Sequence, residues 1–212
     1  MTTPIPSAPA LPPVQYGGIE LYNNLPTLGE ADDAFTPKAR AILISEVGEL
    51  LARYGCLWGL CLVHAHCSLE AGETMVGRGN TSQPENVEAE DVFPERWLSD
   101  GRPYEYNIDK TEPPPAELIV QFKALVGANG LDGTPGLYYV GDKVPELVLE
   151  STVGRANVVR AVTEIDEQSS VKTGWAPIMG GAGMPVTMAC MLYCVPGDGK
   201  GGKLHTGTRS HA

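Results

Sequence analysis

The chain has 212 residues, enough for one domain with a substantial core, and its 25 glycines and 18 prolines indicate a loop-rich fold. A formal net charge of -11 argues against nucleic acid or an anionic membrane surface as a partner, because both would repel the chain. The start of the chain lacks a basic segment followed by an apolar one, no run is long enough to span a bilayer, and five cysteines fit reduced thiols, so we predict a cytoplasmic protein.

The first predicted elements are an arm and a helix. Residues 1–17 are rich in proline and polar residues, which favours an extended arm, and we assign residues 18–212 to a single domain. Within TPKARAILISEVGELLARYG, Thr36 suits a helix cap, Pro37 suits the first turn and Gly55 suits the stop. We therefore predict a helix with one buried face.

The next stretch, CLWGLCLVHAHCSL at residues 56–69, is apolar at consecutive positions, which is typical of a strand buried on both faces. Side chains alternate along a strand, so Trp58, His64 and His66 share one face. Cys67 lies on the other face, which excludes a mixed site built from these histidines and Cys67 unless the strand bulges.

The sequence EAGE predicts a hairpin turn from this strand into TMVGRG. The register of that hairpin sets His66 opposite Gly77 and His64 opposite Gly79. Glycine in a strand leaves open volume beside the facing side chain. We therefore predict a substrate pocket at the histidines, lined by Trp58, Gly77 and Gly79.

The second half of the chain is predicted to be mainly strands. Residues 80–115 show little periodicity and are predicted to be a loop, and PPAELIVQFKALVG is predicted to be a second helix that ends at Gly127. Strands are predicted at GLYYVG, ELVLEST, NVVRAVTEI, VKTGWAP and PVTMACMLYCV, with a partner strand at KLHTGT. Consecutive strands favour an α+β fold with a mainly antiparallel sheet on which two main helices pack.

The histidine pair is the best candidate site. Two imidazoles at positions i and i+2 of a strand can converge on one divalent, zinc-like ion, so His64 and His66 are candidate metal ligands. Either His205 or His211, both near the C-terminus, could complete the ligand set. Two alternatives stay open: the pair acts in acid/base catalysis without a metal, or it is a structural pair at the end of a core strand.

Three other motifs are rejected. The sequence GDGKGGKL places Leu204 where a phosphate-binding loop needs a hydroxyl, and Pro185 and a strand follow the glycines of GWAPIMGGAGMP, which excludes a dinucleotide fingerprint. Cys190 and Cys194 would lie about 13 Å apart on one strand, too far for a disulfide or a shared ion. We therefore expect small core residues at both cysteines.

The sequence favours an enzyme of the hydrolase, lyase or isomerase type that acts on a small molecule without a nucleotide cofactor, with His64 and His66 as catalytic or metal-binding residues. The loop at 80–115 or the loop at 174–184 would cover the site. The alternative is a non-catalytic binding or self-assembling subunit, a homo-oligomer whose arm contacts neighbouring copies and whose histidines are structural.

Overall fold

The computed structural model describes residues 18–142, 145–179 and 186–197. Ten strands close into a barrel in the order β1-β6-β4-β5-β2-β3-β8-β7-β10-β9. The strands are Trp58–Leu62 (β1), Thr74–Arg78 (β2), Thr81–Glu85 (β3), Phe93–Leu98 (β4), Pro103–Asn107 (β5), Pro135–Tyr139 (β6), Val148–Val153 (β7), Ala156–Ala161 (β8), Val171–Ile178 (β9) and Thr187–Val195 (β10). The pairs β2–β5 and β7–β10 are parallel, and the other pairs are antiparallel.

The helices are Ile19–Asn23 (α1), Leu28–Ala34 (α2), Pro37–Arg53 (α3) and Ala116–Ala128 (α4), and a 3-10 turn spans Ala89–Asp91. The prediction of α3 is confirmed: Thr36 Oγ1 accepts a hydrogen bond from the Ala39 amide at 3.3 Å, and Gly55 ends the helix with φ +77°. The prediction of α4 is confirmed as well. Among the described helices, none combines the length and the apolar character that crossing a bilayer requires.

The two long helices cover the outside of the barrel. Each has a buried apolar side and an exposed side, and α3 contacts β1, β9 and β10. Trp97 pairs with Leu137 across β4 and β6, and both side chains lie in the apolar layer beneath the helices. Arg96 precedes Trp97 in β4 and pairs with Tyr138, which follows Leu137 in β6. The side chains of Arg96 and Tyr138 therefore point to the opposite face, which is the barrel interior.

Glycines in β1 and β9 make room for large side chains in this interior. A Cβ added at Gly59 would lie 2.2 Å from Cε1 of Tyr138, and one added at Gly174 would lie 2.9 Å from Cβ of Leu192. Neither approach is compatible with van der Waals packing. The two glycines therefore allow the Tyr138 and Leu192 side chains to pack across the barrel.

The predicted α+β fold is wrong, because the sheet closes on itself and the helices are few. The predicted loop at 80–115 contains β3, β4 and β5. Prolines obscured these strands: Pro103 begins β5, and Pro94 lies next to a register shift in β4, both of which are positions where a strand tolerates proline. Part of the predicted 174–184 loop, up to Ile178, belongs to β9.

The predicted hairpin between β1 and β2 is also wrong. Strand β1 ends at Leu62 and pairs with β6 and β9, whereas β2 pairs with β3 and β5. The register that set the histidines opposite Gly77 and Gly79 therefore does not exist. The predicted arm at 1–17, the KLHTGT strand, His205 and His211 lie outside the described residues.

Candidate metal centre

Both histidines lie in residues 63–73, the irregular segment between β1 and β2, which we call the histidine segment. The N-terminal helical region holds this segment in place. The Tyr22 hydroxyl accepts a hydrogen bond from the His66 amide at 3.2 Å, and the Ala65 amide donates to the carbonyl of Pro26 at 2.9 Å. The Asn23 side chain also makes two hydrogen bonds with the backbone of Leu69, at 2.9 and 2.8 Å.

The two imidazole rings are buried side by side. His64 and His66 are 1% and 0% exposed, and their ring centroids lie 4.7 Å apart at an interplanar angle of 65°. Nδ1 of His64 lies 2.9 Å from the carbonyl oxygen of Leu62. A carbonyl only accepts hydrogen bonds, so Nδ1 carries the proton and Nε2 of His64 keeps the lone pair that can bind a metal.

Cys194 of β10 completes a group of three metal-binding side chains. The donor atoms of His64, His66 and Cys194 all lie within 4.8 Å of one another, and the three residues are buried. In a tetrahedral zinc site, bonds of about 2.0 to 2.3 Å place the donors about 3.3 to 3.8 Å apart. The group could therefore hold a metal ion after the side chains close in by about 1 Å.

A buried ion-pair cluster lies beside this group. Nε of Arg96 is 3.1 Å from Oε2 of Glu105, and Nη2 of Arg96 is 2.5 Å from Oε1 of Glu150. On the side of the histidines, Oε1 of Glu105 lies 3.9 Å from Nε2 of His66. Glu150 pairs with Cys194 across β7 and β10, so the cluster borders the metal-binding group on both sides.

The two carboxylates have different environments. Burial raises the pKa of Glu105 to about 7, against the opposing effect of Arg96. Burial also acts to raise the pKa of Glu150, but Arg96, His64 and the Asn157 amide outweigh it and hold that pKa below its usual value. Thr173 Oγ1 lies 3.4 Å from the second carboxylate oxygen of Glu150.

The protonation of the metal-binding group follows from its burial. Burial lowers the pKa of His64, although nearby Glu150 opposes the effect, so the ring stays neutral. Burial and, secondarily, Glu150 raise the pKa of the Cys194 thiol well above its usual value. A metal ion would have to displace the thiol proton to bind this sulfur, so metal binding would release a proton.

The structure shows the surroundings of each predicted pocket residue. Trp58 lies in the apolar layer, where its Nε1 donates to the carbonyl of Glu112 at 3.1 Å. A Cβ at Gly77 would meet Asn107 Nδ2 at 2.9 Å, so this glycine makes room for the Asn107 side chain. Gly79 has φ +61° and forms the turn between β2 and β3.

Sequence reasoning missed Cys194 and Glu105. The prediction that Cys194 is a small core residue is confirmed, because it is fully buried in the apolar core, but its closeness to the two histidines was not predicted. Glu105 lies in a segment predicted to be a loop. Its sequence does contain a strand-like alternation, in which Tyr104 and Tyr106 flank the charged residue in PYEYN.

The chain matches no protein-family model, and comparison with curated proteins and with solved structures gives no significant match.

Proposed function

We propose that the protein binds a zinc-like divalent cation through His64, His66 and Cys194 and uses this centre in an enzyme that acts on a small molecule. One observation carries the proposal: three metal-binding side chains from two distant parts of the sequence converge within 4.8 Å at a buried position. Imidazole nitrogen and thiolate sulfur are donors that zinc prefers.

The charges around the group support a divalent cation. Arg96 has one positive charge and contacts two carboxyl groups, and Glu105, whose pKa burial raises to about 7, can release its proton when a cation binds nearby. A thiolate at Cys194 would add another negative charge. An uncompensated charge is costly in a protein interior, and a divalent cation would balance this one.

Among the residues that the structure describes, the group supplies three protein donors, and this number favours a catalytic centre. Structural zinc sites usually have four protein ligands, whereas catalytic sites have three and leave a position for water or substrate. A metal in such a site supplies an activated water or a Lewis acid, which suits hydrolase, lyase and isomerase chemistry. The burial of all three donors favours the second candidate, a structural metal that stabilises a non-catalytic subunit.

Metal analysis tests the proposal. Protein purified without chelator and reconstituted with zinc should retain one equivalent of metal, and a double variant with His64→Ala and His66→Ala should lose it. Cys67→Ala is the matched control, because Cys67 is next to His66 in sequence but packs in an apolar cluster with Val63 and Ala65. A folded wild-type protein that retains no stoichiometric metal would refute the proposal.

A second measurement separates catalysis from structure. In the cobalt-substituted protein, paramagnetic relaxation of solvent water should show an exchangeable water on the metal. Turnover of ester, amide or hydroxy-acid substrates should then appear in the metal-loaded protein and be absent from the metal-free protein. A four-coordinate metal without exchangeable water would favour the structural role.

A further inference from the structure

We propose that Glu105 positions His66 for metal binding and that Arg96 holds the Glu105 carboxylate in place for this purpose. This inference rests on the proposed metal centre. Glu105 is a positioning residue in this account, and not a metal ligand, because its carboxylate does not belong to the group of donors that lie within 4.8 Å of one another.

The orientation of the Glu105 carboxylate is the first step. The residue is 2% exposed, and Oε2 accepts the Arg96 guanidinium at 3.1 Å. Oε1 accepts no hydrogen bond from any residue that the structure describes, and it points toward His66, 3.9 Å from Nε2 of that ring. A buried carboxylate oxygen that accepts no hydrogen bond is unfavourable. This oxygen therefore needs a donor, and the nearby His66 ring can provide one.

Metal-bound histidines commonly provide a donor of this kind. A histidine that binds a metal through one ring nitrogen generally donates the other N–H to a carboxylate or a backbone carbonyl. His64 already has such an acceptor in the carbonyl of Leu62, at 2.9 Å. Glu105 offers the equivalent acceptor to His66, at a distance that must shorten by about 1 Å to form a hydrogen bond.

Two distances must shorten by a similar amount, about 1 Å: the one between Oε1 of Glu105 and Nε2 of His66, and those among the three metal-binding atoms. The three donor atoms lie within 4.8 Å of one another, whereas a tetrahedral zinc ion would bring them to about 3.3 to 3.8 Å. A small rotation of the His66 ring would bring it closer both to Glu105 and to the metal-binding atoms of His64 and Cys194. We infer that metal binding and formation of the hydrogen bond from His66 to Glu105 occur together.

Arg96 links Glu105, on the histidine side of the metal-binding group, to Glu150, on the cysteine side. Its guanidinium binds Glu105 through Nε and Glu150 through Nη2. Glu150 is the neighbour of Cys194 on the paired strand β7. One guanidinium thus fixes the carboxylates that flank both the histidine side and the cysteine side of the metal-binding group.

The test compares zinc affinity in four proteins by competition with a chromophoric chelator. Glu105→Ala should weaken zinc binding roughly 10- to 100-fold, the usual effect of losing such a partner. Glu105→Gln, which keeps an oxygen acceptor, should weaken it less. Glu95→Gln is the matched control: Glu95 is a neighbouring carboxylate, but it accepts a hydrogen bond from Asn107 and should change affinity less than about threefold.

A spectroscopic readout separates positioning from a general effect on stability. In the zinc-loaded wild-type protein, nitrogen-15 shifts of the His66 ring should show a protonated Nε2, and Glu105→Ala should change this signature while circular dichroism shows a folded chain. If the alanine variant does not fold, the glutamine variant carries the test.

Three results have distinct meanings. A folded Glu105→Ala protein that binds zinc within threefold of the wild type would overturn the inference and leave the metal centre intact. X-ray absorption that requires a carboxylate ligand, lost in Glu105→Gln, would also overturn it, because Glu105 would then bind the metal directly. Absence of zinc binding by the wild type would instead refute the proposed function.

Discussion

Two glutamates that bind the same arginine differ in their proton affinity. Glu150 has Arg96, His64 and Asn157 around it, and its pKa lies below the usual value. Glu105 is equally buried but has Arg96 as its main compensating contact, and its pKa rises to about 7. The number of donors around each carboxylate, and not burial alone, therefore decides its charge.

The raised pKa of Glu105 predicts how stability changes with pH in the metal-free protein. Its pKa rises from 4.5 to about 7 on folding, so between these values the folded state binds more protons than the unfolded state. The contribution of Glu105 to the free energy of unfolding must therefore decrease as pH rises through this window. Glu105→Gln removes this contribution.

Urea unfolding at several pH values between 5 and 7 checks the prediction. The wild-type protein should lose stability relative to Glu105→Gln as pH rises from 4.5 to about 7. The lowered pKa of His64 has the opposite effect on the slope, but it is present in both proteins and so affects the difference little. A constant difference across this range would contradict the assignment of a raised pKa to Glu105.

At the residue scale, the sequence predicted only part of the site. The pair His64 and His66 was recognisable because two imidazoles at alternate positions can face one centre. Cys194 was not recognisable as their partner, because it is 128 positions beyond His66 and only the pairing of β9 with both β1 and β10 brings it near. Spacing along one strand does not contain that information.

At the scale of elements, the histidine segment depends on contacts with the N-terminal helices. Residues 63–73 form no regular strand, and their backbone donors are satisfied in part by Tyr22, Asn23 and Pro26. The buried part of this segment, residues 63–67 and Leu69, needs such partners because water cannot easily reach its amides. The geometry of His66 therefore relies on α1 and the turn after it.

Asn23→Ala should test this dependence. The change removes two hydrogen bonds to the backbone of Leu69, at 2.9 and 2.8 Å, and should lower the free energy of unfolding by about 1 to 2 kcal/mol. Hydrogen exchange of the Leu69 amide should accelerate. Asn24→Ala, at the adjacent exposed position, is the control and should change stability by less than about 0.5 kcal/mol. Equal effects in the two variants would contradict this account.

Elements with strong local signals were predictable. The helix α3 has a cap at Thr36 and a stop at Gly55, and both act within a few residues. The helix α2 has the same kind of local signal in its sequence, a capping box between Thr27 and Glu30. Strands β3 to β5 were missed because prolines and charged residues interrupt their alternation.

At the scale of the whole molecule, closure of the barrel was beyond local reasoning. Strand β1 lies between β6 and β9, and the parallel pairs β2–β5 and β7–β10 join strands that are not consecutive. Such pairings depend on contacts across the chain, which hydrophobic periodicity does not encode. The same closure turns Arg96, Glu105 and Glu150 inward and places their charges beside the metal-binding group.

The most direct test of the metal centre is a cobalt titration of the wild-type protein, Cys194→Ser and Cys190→Ser, followed in the near ultraviolet. Thiolate coordination to cobalt gives a charge-transfer band there. The wild-type protein and Cys190→Ser should show the band and saturate at one equivalent, whereas Cys194→Ser should lack it. Absence of the band from the folded wild-type protein, or its survival in Cys194→Ser, would contradict a centre formed by His64, His66 and Cys194.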